Sequence, residues 1–107
     1  MAKQYGIFMT HPPNVCPISN KASREMAKKG VSLLPGLNDK YKVKVTQWYH
    51  FDPEHLSIMM VEADNPESVR DLLMEGGFMH WNELRIYPVT TIDETMMKKM
   101  EDIPTIF

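Results

Sequence analysis

The sequence Val43-Lys-Val-Thr-Gln-Trp-Tyr-His50 is followed, after the turn-like segment Phe51-Asp-Pro-Glu-His55, by Leu56-Ser-Ile-Met-Met-Val-Glu-Ala63. Two strand-like segments joined by a short turn predict a β-hairpin. On each side of this hairpin the chain has a helical pattern, and beyond each helical pattern lies a further strand-like segment. The hairpin is therefore the centre of a predicted β-α-β-β-α-β order.

The helix before the hairpin is predicted from one helical stripe, formed by Met26, Gly30, Leu33, Leu34, Leu37 and Tyr41. Ser19 or Asn20 is suited to cap its start. Pro35 and Gly36 interrupt the stripe, so we expect a kink or a second short helix that begins near Pro35.

The helix after the hairpin has clear signals at both ends. Asn65 before Pro66 is an N-cap followed by proline at the first helical position. The pair Gly76-Gly77 ends the helix, because a residue without Cβ adopts the left-handed conformation at little cost.

The outer strands are predicted at residues 4–10 and 83–89, and a terminal helix follows the second of them. Thr91-Ile-Asp-Glu94 has the form of a capping box that opens this helix. The final segment, Ile103-Pro-Thr-Ile-Phe107, is apolar, so we expect it to dock on the body of the protein or on a partner subunit.

This order is the ferredoxin-like split βαβ arrangement, an α+β fold with a four-stranded antiparallel sheet, here with an extra C-terminal helix. The length of 107 residues predicts a single domain over residues 1–107. Both sheet faces are apolar, since Tyr5, Ile7 and Met9 alternate with Phe8. We therefore predict a homodimer joined through the sheet faces, with the apolar final segment contributing.

Several motifs resemble those of a known superfamily. They are Thr10-His-Pro-Pro13, Cys16-Pro-Ile-Ser-Asn20, Val61-Glu-Ala-Asp64, Met79-His-Trp-Asn82 and Ile86-Tyr-Pro-Val-Thr-Thr91. From about residue 5 to 95 the chain resembles the dimeric α+β barrel superfamily, and within it a group of small proteins classed as a domain of unknown function. The resemblance implies this fold and dimerisation. It implies no single reaction, because the superfamily includes monooxygenases, isomerases, haem-handling proteins and regulatory ligand-binding domains.

Composition argues against nucleic acid and membrane as partners. The net charge of −2 lacks the basic footprint of a nucleic-acid binder. The third strand lacks the stacking aromatics and basic start of an RNA-binding module. No apolar run approaches the roughly 20 residues that span a bilayer. The single cysteine, Cys16, and a start without a leader-like segment predict a cytoplasmic protein.

The predicted topology collects chemically active side chains at one edge of the sheet. Strand one ends at the edge where the hairpin turns, and strand four begins there. Three groups of residues meet at this edge: His11 with Cys16, His50 with His55, and His80 with Trp81 and Asn82.

The first interpretation of this edge is a small-molecule pocket, with apolar walls from aromatic residues and methionines and with His and Asn fixing orientation. Its predicted ligand-binding residues are His11, Cys16, Trp48, His50, His55, Glu62, Phe78, His80, Trp81 and Asn82. The chain would then be an enzyme of the monooxygenase-like or isomerase-like kind, or a non-catalytic ligand-binding, metal-binding or sensing domain. Nothing in the sequence requires catalysis.

The second interpretation is a metal site. His11, His55 and His80, with Cys16 nearby, would bind zinc or iron and leave a position open for substrate. No pair has close ligand spacing such as His-x-x-x-His, and the alternative is that the histidines cap loops and satisfy buried polar groups. Cys16 is also a candidate nucleophile near His11, but an inert loop thiol is favoured because no base–orienter pair is visible.

Overall fold

The computed structural model of the protein describes residues 2–107. The strands are β1 (Lys3–Thr10), β2 (Lys44–Phe51), β3 (Leu56–Ala63) and β4 (Glu83–Val89). The helices are α1 (Lys21–Tyr41), α2 (Pro66–Glu75) and α3 (Glu94–Glu101), and short 3-10 turns occur at Pro13–Val15 and Phe78–His80. The predicted element order is confirmed.

The four strands form one antiparallel sheet in the order β2-β3-β1-β4. Strand β1 lies between β3 and β4, so Ile7 faces Met59 on one side and Ile86 on the other. This order, with α1 and α2 as the two crossover connections, defines a ferredoxin-like α+β fold.

The core lies between one face of this sheet and the two crossover helices. Ile7, Met9 and Met59 on the sheet have no exposed surface. They belong to one cluster with buried residues of α1, α2 and the turn after α2, namely Leu34, Leu37, Val69, Leu72, Leu73 and Phe78. Burial of side chains of this size stabilises the fold by about 1.5–3 kcal/mol each.

Helix α1 is a single helix with the predicted cap. Asn20 caps it, with its side-chain oxygen accepting a hydrogen bond from the Ser23 backbone N–H at 2.9 Å. The helix continues through Pro35 to Tyr41, so of the two expected alternatives the second short helix is not formed, and the kink stays a prediction. Leu34 and Leu37 are buried on either side of this proline, and their packing outweighs the loss of one backbone hydrogen bond.

The end of α2 packs closely against α1 around the Phe78 ring. A Cβ atom on Gly30 would lie 2.6 Å from the Gly76 carbonyl oxygen and 3.0 Å from the Phe78 ring. A Cβ atom on Gly76 would lie 2.7 Å from the same ring. Gly77 then adopts the left-handed conformation, with φ of 77°. These glycines allow Phe78 to enter the core, and Phe78 anchors the loop that continues to Asn82.

The sheet face opposite the helices is uncovered in the single chain and has an apolar centre. By the strand registers, the apolar centre of this open face is formed by Phe8, Tyr49, Ile58, Met60 and Tyr87, and polar residues lie among and around them, namely Thr10, Gln47, Glu62, Glu83 and Arg85. Phe8 and Tyr87 pack edge to face, with ring centroids 5.8 Å apart, and both are exposed.

Helix α3 and the final segment do not cover the open face. Asp93 caps α3 by accepting a hydrogen bond from the Met96 N–H at 3.0 Å, so the predicted capping box at Thr91 is wrong. No residue of α3 is buried. Ile103, Ile106 and Phe107 are 64%, 90% and 112% exposed, so the final segment does not dock on the body of its own chain. Across residues 2–107, no helix is long and apolar enough to cross a membrane.

Candidate functional site

The end of the β1–β3 ladder brings two histidines together. Thr10 and Leu56 form the last residue pair of the ladder, so the next residues, His11 and His55, face each other beyond it. The His11 backbone N–H donates to the His55 carbonyl at 3.3 Å. The two imidazole rings have centroids 5.4 Å apart and meet edge to face.

The turn at Pro13–Val15 folds the chain back and places Cys16 beside this pair. The Cys16 N–H donates to the Pro13 carbonyl at 3.3 Å, and the Cys16 carbonyl accepts from the Asn20 N–H at 2.7 Å. The thiol is buried. One ligand atom each from His11, Cys16 and His55 lies within 4.8 Å of the others. We call these residues the His–Cys cluster.

Asn82, on the loop after α2, fixes the orientation of the His11 ring. Its side-chain N–H donates to the Phe78 carbonyl at 3.1 Å, within the core. The Asn82 amide oxygen is consequently directed toward His11, where it lies 3.1 Å from Nδ1. An amide oxygen accepts only, so Nδ1 carries a proton, and in the neutral ring Nε2 carries a lone pair. Nε2 is buried and has no hydrogen-bond partner.

A cavity of about 230 Å³ lies beside the His–Cys cluster. Its walls are largely apolar, with Trp48 and Trp81 contributing their indoles and Pro17 and Ile18 completing them. Its remaining lining residues are His11, Cys16, His50 and Ser57. We call it the indole cavity. None of the described residues that line it is acidic, lysine or arginine.

A second, more polar cavity of about 400 Å³ adjoins the first. His11 and Trp81 line both, so these two side chains separate them. His80 lines the second cavity together with Thr10, Val15, Met79 and Glu83. The edge therefore has two compartments with a shared wall.

His50 forms a short contact with a carboxylate at the indole cavity. Its Nδ1 lies 2.7 Å from Asp52 Oδ1, and the side chains are 40% and 88% exposed. A carboxylate at this position holds the proton on Nδ1 and leaves Nε2 as the acceptor. From the sequence, no histidine oriented by a second polar group was expected at this edge. His50 and Asp52 form such a pair, and Cys16 is not part of it.

The structure separates the predicted site residues into three groups. The first group lies in or beside the His–Cys cluster and the indole cavity, and it consists of His11, Cys16, Trp48, His50, His55, Trp81 and Asn82. His80 is outside the cluster, so the expected convergence of His11, His55 and His80 is corrected to His11, Cys16 and His55.

The other two predicted residues do not line either cavity. Glu62 pairs with Gln4 and Lys44, which places it at the opposite end of the sheet. Phe78 is completely buried in the core, where it supports the Trp48 and Trp81 rings.

Sequence reasoning missed Ile18, Ser57 and Asp52. Ser57 faces His50 across the β2–β3 ladder, and its hydroxyl oxygen accepts from Trp48 Nε1 at 3.4 Å. The hairpin register would have identified Ser57, because a residue opposite His50 must lie near it. The sequence carried no comparable signal for Ile18, which belongs to an irregular loop.

The fold and the site define a ferredoxin-like α+β protein with a His- and Cys-containing edge. No protein-family model matches the chain, and no curated protein matches it. Among solved structures, it is similar to the crystal structure of 30S ribosomal protein S6 from Thermotoga maritima, with 11% identity. The match covers 94% of this chain and 95% of the other, with a TM-score of 0.46. A similarity at that score says nothing about the function of this chain.

Proposed function

We propose that the protein binds a small organic molecule with an apolar body and one polar group in the indole cavity. The observation that carries the proposal is the lining: two indoles and two aliphatic residues form the walls, and His11, His50 and Ser57 supply polar atoms. Binding sites of small molecules have this combination of apolar walls and few polar groups. The volume of about 230 Å³ limits the ligand to a small one.

Exposed isoleucines provide a test of this pocket. Ile18 lines the cavity and is 75% exposed, while Ile92 lies away from it and is 78% exposed. A screen of small aromatic and aliphatic carboxylates, alcohols and ketones by ligand-observed NMR should find binders that quench tryptophan fluorescence. Ile18→Asp should weaken them and Ile92→Asp should not. A screen without binders, or equal effects of the two substitutions, would contradict the proposal.

An enzymatic use of this pocket is favoured by the His50–Asp52 contact. With Asp52 holding Nδ1–H, Nε2 of His50 is a general base at the wall of the cavity. A base beside an apolar pocket suits proton abstraction next to a carbonyl group, which is isomerase-like chemistry. The alternative is a non-catalytic binding or sensing domain, which the same cavity would serve.

Deuterium exchange distinguishes these two functions. Carbonyl compounds that bind should exchange carbon-bound hydrogen with D₂O in the presence of the protein, as followed by NMR. His50→Gln should abolish the exchange, and His80→Gln, at the neighbouring cavity, should leave it unchanged. Tight binding without exchange would favour the non-catalytic domain.

We also propose a homodimer of the dimeric α+β barrel kind, assembled through the open face. Phe8, Tyr49 and Tyr87 on this face are 38%, 57% and 47% exposed. A second copy of the chain offers the same apolar surface, as a two-fold interface requires. The apolar final segment and the methionines of α3 are also unburied in the single chain, and contact with the partner subunit would remove them from water.

Light scattering coupled to size-exclusion chromatography tests the assembly. The wild-type protein should be a dimer at micromolar concentration. Phe8→Glu, on the open face, should give a monomer, whereas Val31→Glu, at a 51% exposed position of α1, should stay a dimer. A wild-type monomer would contradict the proposal.

A further inference from the structure

The donor atoms of the His–Cys cluster are already close to the spacing of a metal site. In tetrahedral zinc coordination, with Zn–N about 2.0–2.1 Å and Zn–S about 2.3 Å, the donor atoms lie roughly 3.3–3.6 Å apart. The donor atoms of His11, Cys16 and His55 all lie within 4.8 Å of one another. Binding of one ion by all three side chains would need these separations to shorten by up to about 1.5 Å.

The state of the His11 ring is the second observation. Asn82 holds Nδ1–H, so in the neutral ring Nε2 is the lone-pair donor, and this atom is buried without a hydrogen-bond partner. Buried ring nitrogens are usually hydrogen-bonded, so an unpartnered one in a group of possible metal ligands supports a role in binding an ion. Metal-bound histidines commonly donate their second N–H to an oxygen acceptor, which sets the tautomer and the ring orientation. Asn82 would have that role for a metal ion bound at Nε2 of His11.

The backbone that carries these ligands is well constrained. Asn20 caps α1 and also donates from its side chain to the Asn14 carbonyl at 3.0 Å. Arg24 donates to the Pro17 and Ile18 carbonyls at 2.9 and 2.5 Å, and the His11–His55 backbone hydrogen bond joins the two loops. The ligand-bearing loops are therefore held in place before any ion binds, which lowers the cost of binding.

We infer that His11, Cys16 and His55 bind one divalent first-row transition-metal ion, with zinc the best fit to two imidazoles and a thiolate. Three protein ligands leave a fourth position, as in catalytic zinc sites. The ion (+2), the thiolate (−1) and two neutral imidazoles sum to +1, so an anionic group or an ionisable water suits that position. His11 and Cys16 also line the indole cavity. A ligand in the indole cavity could therefore take the fourth position on the ion. That step rests on the proposed pocket, whereas metal binding itself does not.

Cobalt(II) provides a spectroscopic test on the full chain. Metal-free protein, prepared with chelator and reducing agent, should bind one equivalent of Co²⁺ with tetrahedral d–d bands and a thiolate-to-cobalt charge-transfer band, and Zn²⁺ should displace it. Cys16→Ser should remove the charge-transfer band. His80→Ala, the matched histidine outside the cluster, should retain the spectrum. Asn82→Ala should weaken binding by about 10–100-fold.

Wild-type protein alone provides a second measurement that does not depend on whether a variant folds. Zn²⁺ should slow the alkylation of Cys16 by at least about tenfold, since a metal-bound thiolate is a weaker nucleophile than a free one. Absence of the cobalt bands together with unchanged alkylation would overturn the inference. Retention of the charge-transfer band in Cys16→Ser would also overturn it. Neither readout uses an organic ligand, so failure of the pocket proposal would leave both results intact.

Discussion

Replacing Gly30 by alanine should destabilise the protein, although alanine is the better helix former. In a helix interior, alanine is favoured over glycine by about 1 kcal/mol. At Gly30 the new methyl group would lie 2.6 Å from the Gly76 carbonyl oxygen and 3.0 Å from the Phe78 ring. Overpacking of this kind costs about 1–3 kcal/mol, so the steric term equals or exceeds the gain in helix propensity.

Gly36 is the matched control in the same helix. A Cβ atom there meets nothing within 4 Å. Gly36→Ala should therefore stabilise the protein by about 0.5–1 kcal/mol, and the two variants should differ by about 1–3 kcal/mol in the free energy of unfolding. Urea unfolding followed by tryptophan fluorescence, at one protein concentration, measures this difference. A Gly30→Ala protein as stable as Gly36→Ala would refute the close approach of α1 to the end of α2.

Two further predictions concern polar contacts. Asn82→Ala should cost about 2–4 kcal/mol, since it removes two hydrogen bonds and leaves the His11 N–H unpaired, whereas Asn65→Ala, at an exposed helix cap, should cost about 1 kcal/mol. Urea unfolding of both variants checks the contrast, and equal costs would count against the buried network. The hydrogen bond from Lys40, and then that from Tyr41, lowers the pKa of Glu75 below its ordinary value of 4.5. A lowered pKa stabilises the fold above the ordinary value, and this contribution is lost as pH falls through the lowered one. The stability difference between wild type and Glu75→Gln should therefore close on acidification from neutral pH, and a constant difference would contradict this assignment.

Local signals were sufficient to predict most of the fold. Asn65-Pro66 and the glycine pair after α2 have the predicted roles, because capping and left-handed geometry depend on adjacent residues only. The hairpin followed from two strand-like segments and one turn. At Pro35 the local signal left a kink and a second short helix as alternatives, and α1 continues as one helix with buried leucines on both sides of the proline.

The site was less accessible to sequence reasoning, because its geometry depends on irregular loops. Topology placed His11 and His55 at one edge, and their direct opposition follows from the register of β1 and β3. The choice between Cys16 and His80 as their neighbour depends on two 3-10 turns, whose side chains follow no regular period. In the second turn, Phe78 enters the core and Asn82 turns toward His11, while His80 faces the other cavity.

The central position of β1 has a consequence for the order in which the protein folds. Ile7 faces Met59 and Ile86, which follow it in sequence by roughly 50 and roughly 80 residues, so β1 can pair on either side only after the later segment that carries each partner has been made. Contacts so distant along the chain form slowly, because the intervening segment must close as a loop before they are gained. His11 and Cys16 follow β1, while His55 lies in the hairpin. The three side chains consequently meet only when β1 pairs with β3, and a metal ion bound to them would favour the paired sheet over the open chain.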